Sequence, residues 1–241
     1  AVLDNKNRLK ESHYPVDLFA PLSTEHFGYD ASDNRILRQT CHYTNFASEI
    51  TTYDPSDQIL NTRVAPPGAP GDIVSSRLRN VYEHDPNGAM TSMTTVATTT
   101  GTPLTPPTTT SFTYDVRQRM TRTTLPDGRR IDHEYFPDSP LRYSFTDPTT
   151  GAATRTAWDM VTQNLAQDVD AGGATGVEYI QGLGMDETLG MVRGGATYAY
   201  VGDQVGTVRQ VVDGGGVSVN RYTLTSFGER RTALEGVANR I

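Results

Sequence analysis

The chain has 241 residues, enough to bury a core, and an all-β chain of this length can form one domain. Twenty-one Lys and Arg against 28 Asp and Glu leave a net charge of −7, a poor starting point for gripping a phosphate backbone, so no nucleic-acid partner is expected. A single cysteine, Cys41, excludes an intrachain disulfide and a cysteine-built metal site, and no apolar run approaches the roughly 20 residues that a membrane-spanning helix needs.

Hydrophobic residues make up 36% of the chain and charged residues only 20%, so Thr, Ser, Asn, Gln and Gly carry much of the polarity. That mixture suits strands with one wet face joined by many turns. Ala1 stands where an initiator Met would, no signal-peptide pattern follows it, and nothing punctuates Ile241. A piece of a longer protein is expected.

In chain order, one frame returns again and again. It begins as Leu3-Asp4-Asn5-Lys6-Asn7-Arg8-Leu9 and recurs as Tyr29-Asp30-Ala31-Ser32-Asp33-Asn34-Arg35-Ile36 and as Tyr53-Asp54-Pro55-Ser56-Asp57-Gln58-Ile59-Leu60. A looser copy runs from Tyr82 to Met90. The clearest is Tyr114-Asp115-Val116-Arg117-Gln118-Arg119-Met120, after which Tyr135, Trp158-Asp159 and Tyr179 mark further units. Successive anchors stand 21 to 32 residues apart, room for two short strands and their turns. One β-hairpin per unit, laid side by side into a continuous sheet, is the predicted architecture.

The unit has a physical rationale. Tyr gives a broad half-buried surface whose hydroxyl can stay wet. The following Asp can accept from backbone N–H groups two or three residues on, closing an Asx-type bend. Turns such as Asp85-Pro86-Asn87-Gly88, Pro126-Asp127-Gly128, Asp147 to Gly151 and Asp213-Gly214-Gly215-Gly216 read as primed hairpin turns. Arg117, Arg119 and Arg122 are expected along a solvated strand face. Two stretches, residues 65–71 and the Thr/Pro-rich residues 98–110, read as loop insertions within a single array spanning 1–241. Trp158 to Ala166 is the one helix-compatible piece.

The Tyr-Asp units resemble the repeats of the Rhs/YD-repeat family, in which Tyr-Asp opens a motif ending in Gly/Asn-Arg-Leu. Within residues 179–230, Tyr179-Ile180-Gln181-Gly182-Leu183-Gly184-Met185-Asp186-Glu187 is similar to that family's Tyr-x-x-Gly-x-Gly-x-Asp-Glu segment. Asp203-Gln204-Val205-Gly206-Thr207-Val208-Arg209 is similar to the Asp-x-Leu-Gly-Ser-Val-Arg element of the Rhs core. Asp213, Gly216, Val217, Arg221-Tyr222 and Phe227-Gly228 follow in the family's order. Val205, Thr207 and Thr225 depart from Leu, Ser and Asp, and the last is expected to loosen one bend.

The resemblance implies a hollow β shell, often called a cocoon. Bacterial members, including the C components of insecticidal toxin complexes, enclose a C-terminal toxin in it until delivery, and wall-associated proteins and teneurins resemble the same shell. It therefore implies a secreted or cell-surface structural segment whose partners are the rest of the shell, a C-terminal toxin, and toxin-complex or secretion-system components. The family's Arg-x-Thr-Gly-type plug motif, with its aspartate-dependent self-cleavage, matches no position here, so no protease residue carries over. An extracellular adhesin or recognition array binding glycans or proteins is the alternative.

Sharper chemistry finds little footing. His13, His26, His42, His84 and His133 lack metal-ligand spacing. Cys41 and His42 are strand neighbours facing opposite ways, as are Asp186 and Glu187, so neither pair forms a dyad. Asp168-Val169-Asp170 lacks the terminal Glu of a calcium loop and fits turn chemistry better. Gly182-x-Gly184 reads as a bend rather than a nucleotide cradle. No catalytic, metal or cofactor residue is expected, and no enzyme.

Overall fold

A computed structural model describes residues 1–14, 23–42, 45–65, 76–98, 100–147, 149–184 and 187–239, and among these every regular element is a strand. One compact unit runs to Arg129. It holds β1 (Val2–Leu3), β2 (Leu9–Tyr14), β3 (Ser23–Tyr29), β4 (Arg35–His42), β5 (Asn45–Tyr53), β6 (Ile59–Ala65), β7 (Arg77–His84), β8 (Met90–Ala97), β9 (Pro103–Tyr114) and β10 (Met120–Thr124). A second unit begins at Arg130. It holds β11 (Arg130–Tyr135), β12 (Arg142–Thr146), β13 (Ala153–Trp158), β14 (Leu165–Asp170), β15 (Thr175–Gln181), β16 (Thr188–Arg193), β17 (Ala196–Gly202), β18 (Val208–Asp213), β19 (Ser218–Leu224) and β20 (Arg230–Glu235). Within each unit the strands pair antiparallel in sequence order, so the predicted hairpin array is the observed fold.

One turn recurs along the array. The opening residue donates its N–H to the carbonyl four residues on, and the residue three on donates back: Asp4 with Arg8 and Asn7, Asp30 with Asn34 and Asp33, Asp115 with Arg119 and Gln118, Asp203 with Thr207 and Gly206. The returning residue is left-handed, with φ from 60° to 71° at Asn7, Asp33, Asp57 and Gln118 and from 80° to 89° at Gly88, Gly128, Gly206, Gly216 and Gly228. This is a three-residue hairpin loop closed by a bulge, and the ladders do shift register beside it, as between Gly28 and Tyr29 and between Thr52 and Tyr53. The expected primed turns are therefore replaced by loops needing only one left-handed residue. A primed pair occurs where no motif pointed: Gly194 and Gly195, with φ of 58° and 77°, join Arg193 to its partner Ala196.

Two sequence expectations fail. Residues 103–114, read as part of a loop insertion from 98 to 110, form β9; its Thr108, Thr109, Thr110 and Ser111 pair with Thr95, Thr94, Met93 and Ser92. A β-branched Thr run prefers a ladder, while Pro106 and Pro107 fall in the irregular stretch between the rungs at Thr108 and Pro103, where no amide is required. Trp158 to Ala166 is not helical either: Trp158 ends β13, Asp159 to Asn164 form a turn, and Leu165 starts β14. The companion insertion at 65–71 lies outside the described residues except for Ala65, which ends β6.

The core differs between units. In the second, alternation along β15 buries Val177 and Tyr179 against Met191 and Val211, with Leu165, Tyr198 and Val219 packed around them. In the first, Phe27, Ile50, Val64, Ala65 and Ala97 share the interior with Glu25, Ser48, Thr51 and Thr62. Glu25 is 1% exposed, and its carboxylate accepts from Nε of Arg38 at 2.8 Å. Every residue of β10 is half-buried, so neither of its faces is fully dry.

Backbone handedness, not packing, should set the cost of changing a turn glycine. Gly216 has φ of 80° and open space where a Cβ would stand. Gly216→Ala should therefore destabilise by about 1 kcal/mol, whereas Gln118→Gly, which relieves the same strain, should be neutral or stabilising. Urea midpoints of the two variants check this; an unchanged midpoint for Gly216→Ala would contradict it.

Candidate functional site

Most of the residues singled out in the sequence lie at strand ends, where five hairpins are tied to the one before them. Tyr29 ends β3, and its hydroxyl donates to the carbonyl of Leu9, the first residue of β2, at 2.8 Å. Tyr53 at the end of β5 reaches Arg35 O, first in β4, at 3.2 Å, and Tyr114 at the end of β9 reaches Met90 O, first in β8, at 2.8 Å. Trp158, ending β13, does the same with its indole Nε1 to Arg142 O at 2.8 Å. Gln181, ending β15, uses its amide on Leu165 O.

Register explains the recurrence. The ladder between neighbouring hairpins starts two residues into the even strand and three residues before the end of the odd one. Its first rungs are Glu11↔His26, Leu37↔Ile50, Ser92↔Ser111, Ser144↔Arg155 and Gln167↔Glu178. The first carbonyl of the even strand lies beyond the last rung, and a half-buried carbonyl without a donor costs roughly 1–3 kcal/mol. A long side chain at the strand end supplies the missing donor. The tyrosine hydroxyl, expected to stay wet, is thus a structural donor, and burial pushes Tyr29, Tyr53 and Tyr114 above the ordinary tyrosine range.

Two anchors lie elsewhere. Tyr82 sits two residues inside β7, whose last residue is His84, and its hydroxyl accepts from Nδ2 of Asn80 at 3.2 Å. Tyr179 is likewise interior to β15, and its buried hydroxyl donates to Asp168 Oδ2 at 2.9 Å. The sequence frame slips at Tyr179 because Tyr there serves as a core residue. Tyr135 ends β11. His84, Gly202 and Leu224 hold the strand-end position in the remaining hairpins.

The adjoining aspartates do a second job. Asp54 Oδ1 accepts from the N–H groups of Ser56 and Gln58, Asp115 Oδ1 from Arg117 and Arg119, Asp203 Oδ1 from Val205 and Thr207, and Asp213 Oδ1 from Gly215 and Val217. Residues two and four on are bound, rather than two and three. Asp30 Oδ1 accepts from Asn34 N, while Asp159 accepts from Val161 and Thr162 across its longer loop. The other carboxylate oxygen of Asp115 takes Nε of Arg119 at 2.7 Å, and that of Asp203 takes Arg209 at 2.9 Å, so Asp203, Gly206 and Arg209 form one closed turn. Arg117 and Arg119 consequently belong to a turn, not to a strand face. Thr225 stands in for Asp with one bond, Oγ1 from Glu229 N at 3.0 Å; Gly228 is its left-handed residue, and Phe227 is exposed at its tip.

Turns also grip each other. Arg8 Nη1 and Lys6 Nζ reach Asp33 Oδ1 in the next turn, and Asn34 Nδ2 reaches Asp57 Oδ1 at 2.7 Å in the one after. Arg8 lies 4.6 Å from the centre of the Tyr29 ring, a cation–π contact that ties turn to anchor.

Among the described residues the candidate reactive groups lie apart. Glu11 Oε1 lies 2.7 Å from His13 Nε2 and Glu11 Oε2 lies 3.8 Å from His26 Nδ1, yet no three His, Cys, Asp or Glu side chains gather for a metal among the described residues. Cys41 and His42 both lie in β4. Asp168 is strand, not turn, and Asp170 opens a turn by accepting Ala174 N. Asp186 lies outside the described residues; Glu187 accepts Gly184 N at 2.9 Å across the bend beside Gly182. Sequence reasoning missed Asn220, which is fully buried and makes four close polar contacts, and only its place two residues before Tyr222 could have flagged it.

Removing one donor should expose the register constraint. Tyr114→Phe should cost about 1 kcal/mol and speed hydrogen exchange around the Ser92↔Ser111 rung; unchanged exchange there would refute the clamp. Acid should act on the turns. Backbone N–H groups hold Asp115, Asp127 and Asp159 below the usual carboxylate range. Their stabilisation is complete above the unfolded value of about 3.8 and is lost as pH falls through the lower folded values. Asp115→Asn keeps an acceptor oxygen and removes the titration, so the unfolding free energy should fall less steeply between about pH 4 and pH 2.

No family model matches the sequence, and no curated protein matches it. Solved structures do. The chain is similar to a chain of TcdB2-TccC3 without its hypervariable C-terminal region at 12% identity and a TM-score of 0.40, over 86% of this chain and 12% of that one. Against TcdB2-TccC3-Cdc42 the values are 14% and 0.35, over 90% and 13%. Against a Photorhabdus luminescens Tc holotoxin pore carrying the TccC3 mutation D651A they are 18% and 0.32, over 90% and 13%. The chain thus spans about an eighth of the length of the chains it matches.

Proposed function

We propose that this chain is a wall segment of a YD-repeat shell, a passive β container in a secreted or delivered bacterial protein that encloses a C-terminal toxin or effector. The strand-end clamp carries the reading. Five times, a side chain at the position that ends the odd strand is spent on the previous hairpin's backbone. The neighbouring aspartates are saturated by their own turns. Chemistry committed in this way builds a panel that can be extended hairpin by hairpin. The uniform half-burial of a strand such as β10, with no dry face, suits a wall with solvent on both sides. The Tyr-Asp frame and the 179–230 segment, both resembling the Rhs/YD-repeat family, support the reading of a shell that surrounds a C-terminal cargo.

A second reading rests on the turn tips. Val116, Val161, Leu183 and Val205 are each at least 84% exposed, a display suited to an extracellular recognition array.

Electron microscopy and limited proteolysis of the full-length gene product separate the two. The container reading expects a closed hollow body and a C-terminal segment that proteases reach only after the body is opened. An open array without a lumen, with saturable glycan or protein binding abolished by Val205→Asp, would overturn it.

A further inference from the structure

Beyond β20 the chain leaves the sheet. The last rung of the β19–β20 ladder is Asn220↔Glu235, after which Gly236 donates its N–H to Val219 O and to Asn220 Oδ1, both at 3.0 Å. Asn220 Oδ1 also accepts Val237 N at 3.0 Å, while its Nδ2 donates to Val237 O at 2.7 Å and to the Tyr222 hydroxyl at 2.8 Å. Both donors and both acceptor sites of a fully buried amide are thereby used, three of the four bonds on the backbone of the crossing segment. Val237 packs against the cluster of Val177, Tyr179, Met191 and Val211. Asn239 Oδ1 accepts from the Tyr200 hydroxyl at 2.9 Å, and its Nδ2 donates to that of Tyr222 at 3.3 Å.

Residues 236–239 are therefore read one by one. Position 236 must be glycine, because an added Cβ would come within 2.9 Å of Val219 O. Position 237 presents its backbone to Asn220 and an apolar side chain to the core. Ala238 is exposed, and position 239 offers an amide to two tyrosines.

We propose that this face of the second unit is a recognition site for a short Gly-Val-x-Asn segment, filled in cis by residues 236–239, and that this strap separates from an intact sheet. Past the Gly236 bond to Val219 no ladder rung holds it, so its release costs side-chain contacts and leaves β19 and β20 paired. A segment outside the ladder can open without unfolding the sheet beneath it. An emptied site would take the same sequence from another chain, because the bonds from Asn220 are made to backbone atoms. Burial, with Tyr222 beside it, pushes Tyr200 up to about 12, which makes Tyr200 a reporter of the strap. The inference goes beyond the container reading and stands without it.

The test uses a fluorescent peptide, Leu-Glu-Gly-Val-Ala-Asn, added to the whole chain. Val237→Asp should expel the strap in cis, raise peptide affinity at least roughly tenfold by removing the tethered competitor, and bring Tyr200 ionisation down towards about 10. Adding Asn220→Ala to that variant should abolish binding. A folded Val237→Asp chain that binds peptide no better than the parent overturns the site. If that variant does not fold, hydrogen exchange on the unaltered chain decides: a Val237 amide exchanging much faster than Val211 supports a separable strap, and equal rates overturn it.

Discussion

A bulged hairpin loop leaves one carbonyl stranded, and much of this structure answers that fact. Most of these loops place one residue left-handed and shift the register beside it, so the even strand begins beside the loop but two residues outside the next ladder. Its first carbonyl faces the next hairpin with no amide opposite. A Tyr, Trp or Gln ending that hairpin's outgoing strand fills the gap. The requirement is geometric: a donor at the end of an arm long enough to span the missing rung. That is why three chemically different side chains satisfy it, and why the hydroxyl matters as much as the ring.

The same economy explains how so polar a chain folds. Among the described residues few side chains are fully buried, and the first unit shares its interior between apolar groups and Glu25, Ser48 and Thr62. A broad apolar core therefore does not carry that unit alone. Bonds inside each turn fix the hairpin, bonds from strand end to strand start fix hairpin to hairpin, and contacts such as Asn34 to Asp57 fix turn to turn. All are short in space and repeat with the unit, so stability accumulates panel by panel, as in other quasi-one-dimensional arrays. In the second unit Val177, Met191 and Val211 form a dry centre, and there the chain folds back to cover it.

The hairpin frame was legible because its two essential residues are adjacent: the strand-end donor and the turn-opening Asp sit side by side as Tyr29-Asp30, Tyr53-Asp54, Tyr114-Asp115 and Trp158-Asp159. What the tyrosine does was not legible, since its partner carbonyl lies 18 to 24 residues upstream and only register brings them together. At Tyr82 and Tyr179 the frame misled, because each tyrosine stands two residues inside its strand, Tyr179 as a core residue and Tyr82 half-buried against Asn80, while His84 and Gln181 hold the strand ends. Prolines misled in residues 98–110, where they mark an interruption in a ladder and not the absence of a strand. Asn220 gave no signal at all: its importance comes from what crosses over it, 16 residues later.

Turn chemistry and clamp chemistry are also separable, which clarifies what the repeat requires. Gln181 clamps without an Asp after it, since Gly182 opens that loop, while Asp203 closes a full turn beside Gly202, which has no side chain to donate. Thr225 shows the intermediate case, one bond where Asp makes two. Either half can be lost locally because neighbouring hairpins still hold the strand through its ladder. The Tyr-Asp pair therefore behaves as two independent fastenings that happen to be neighbours in sequence. An array fastened twice per hairpin tolerates drift in either element, so the visible motif fades along the chain faster than the fold it encodes.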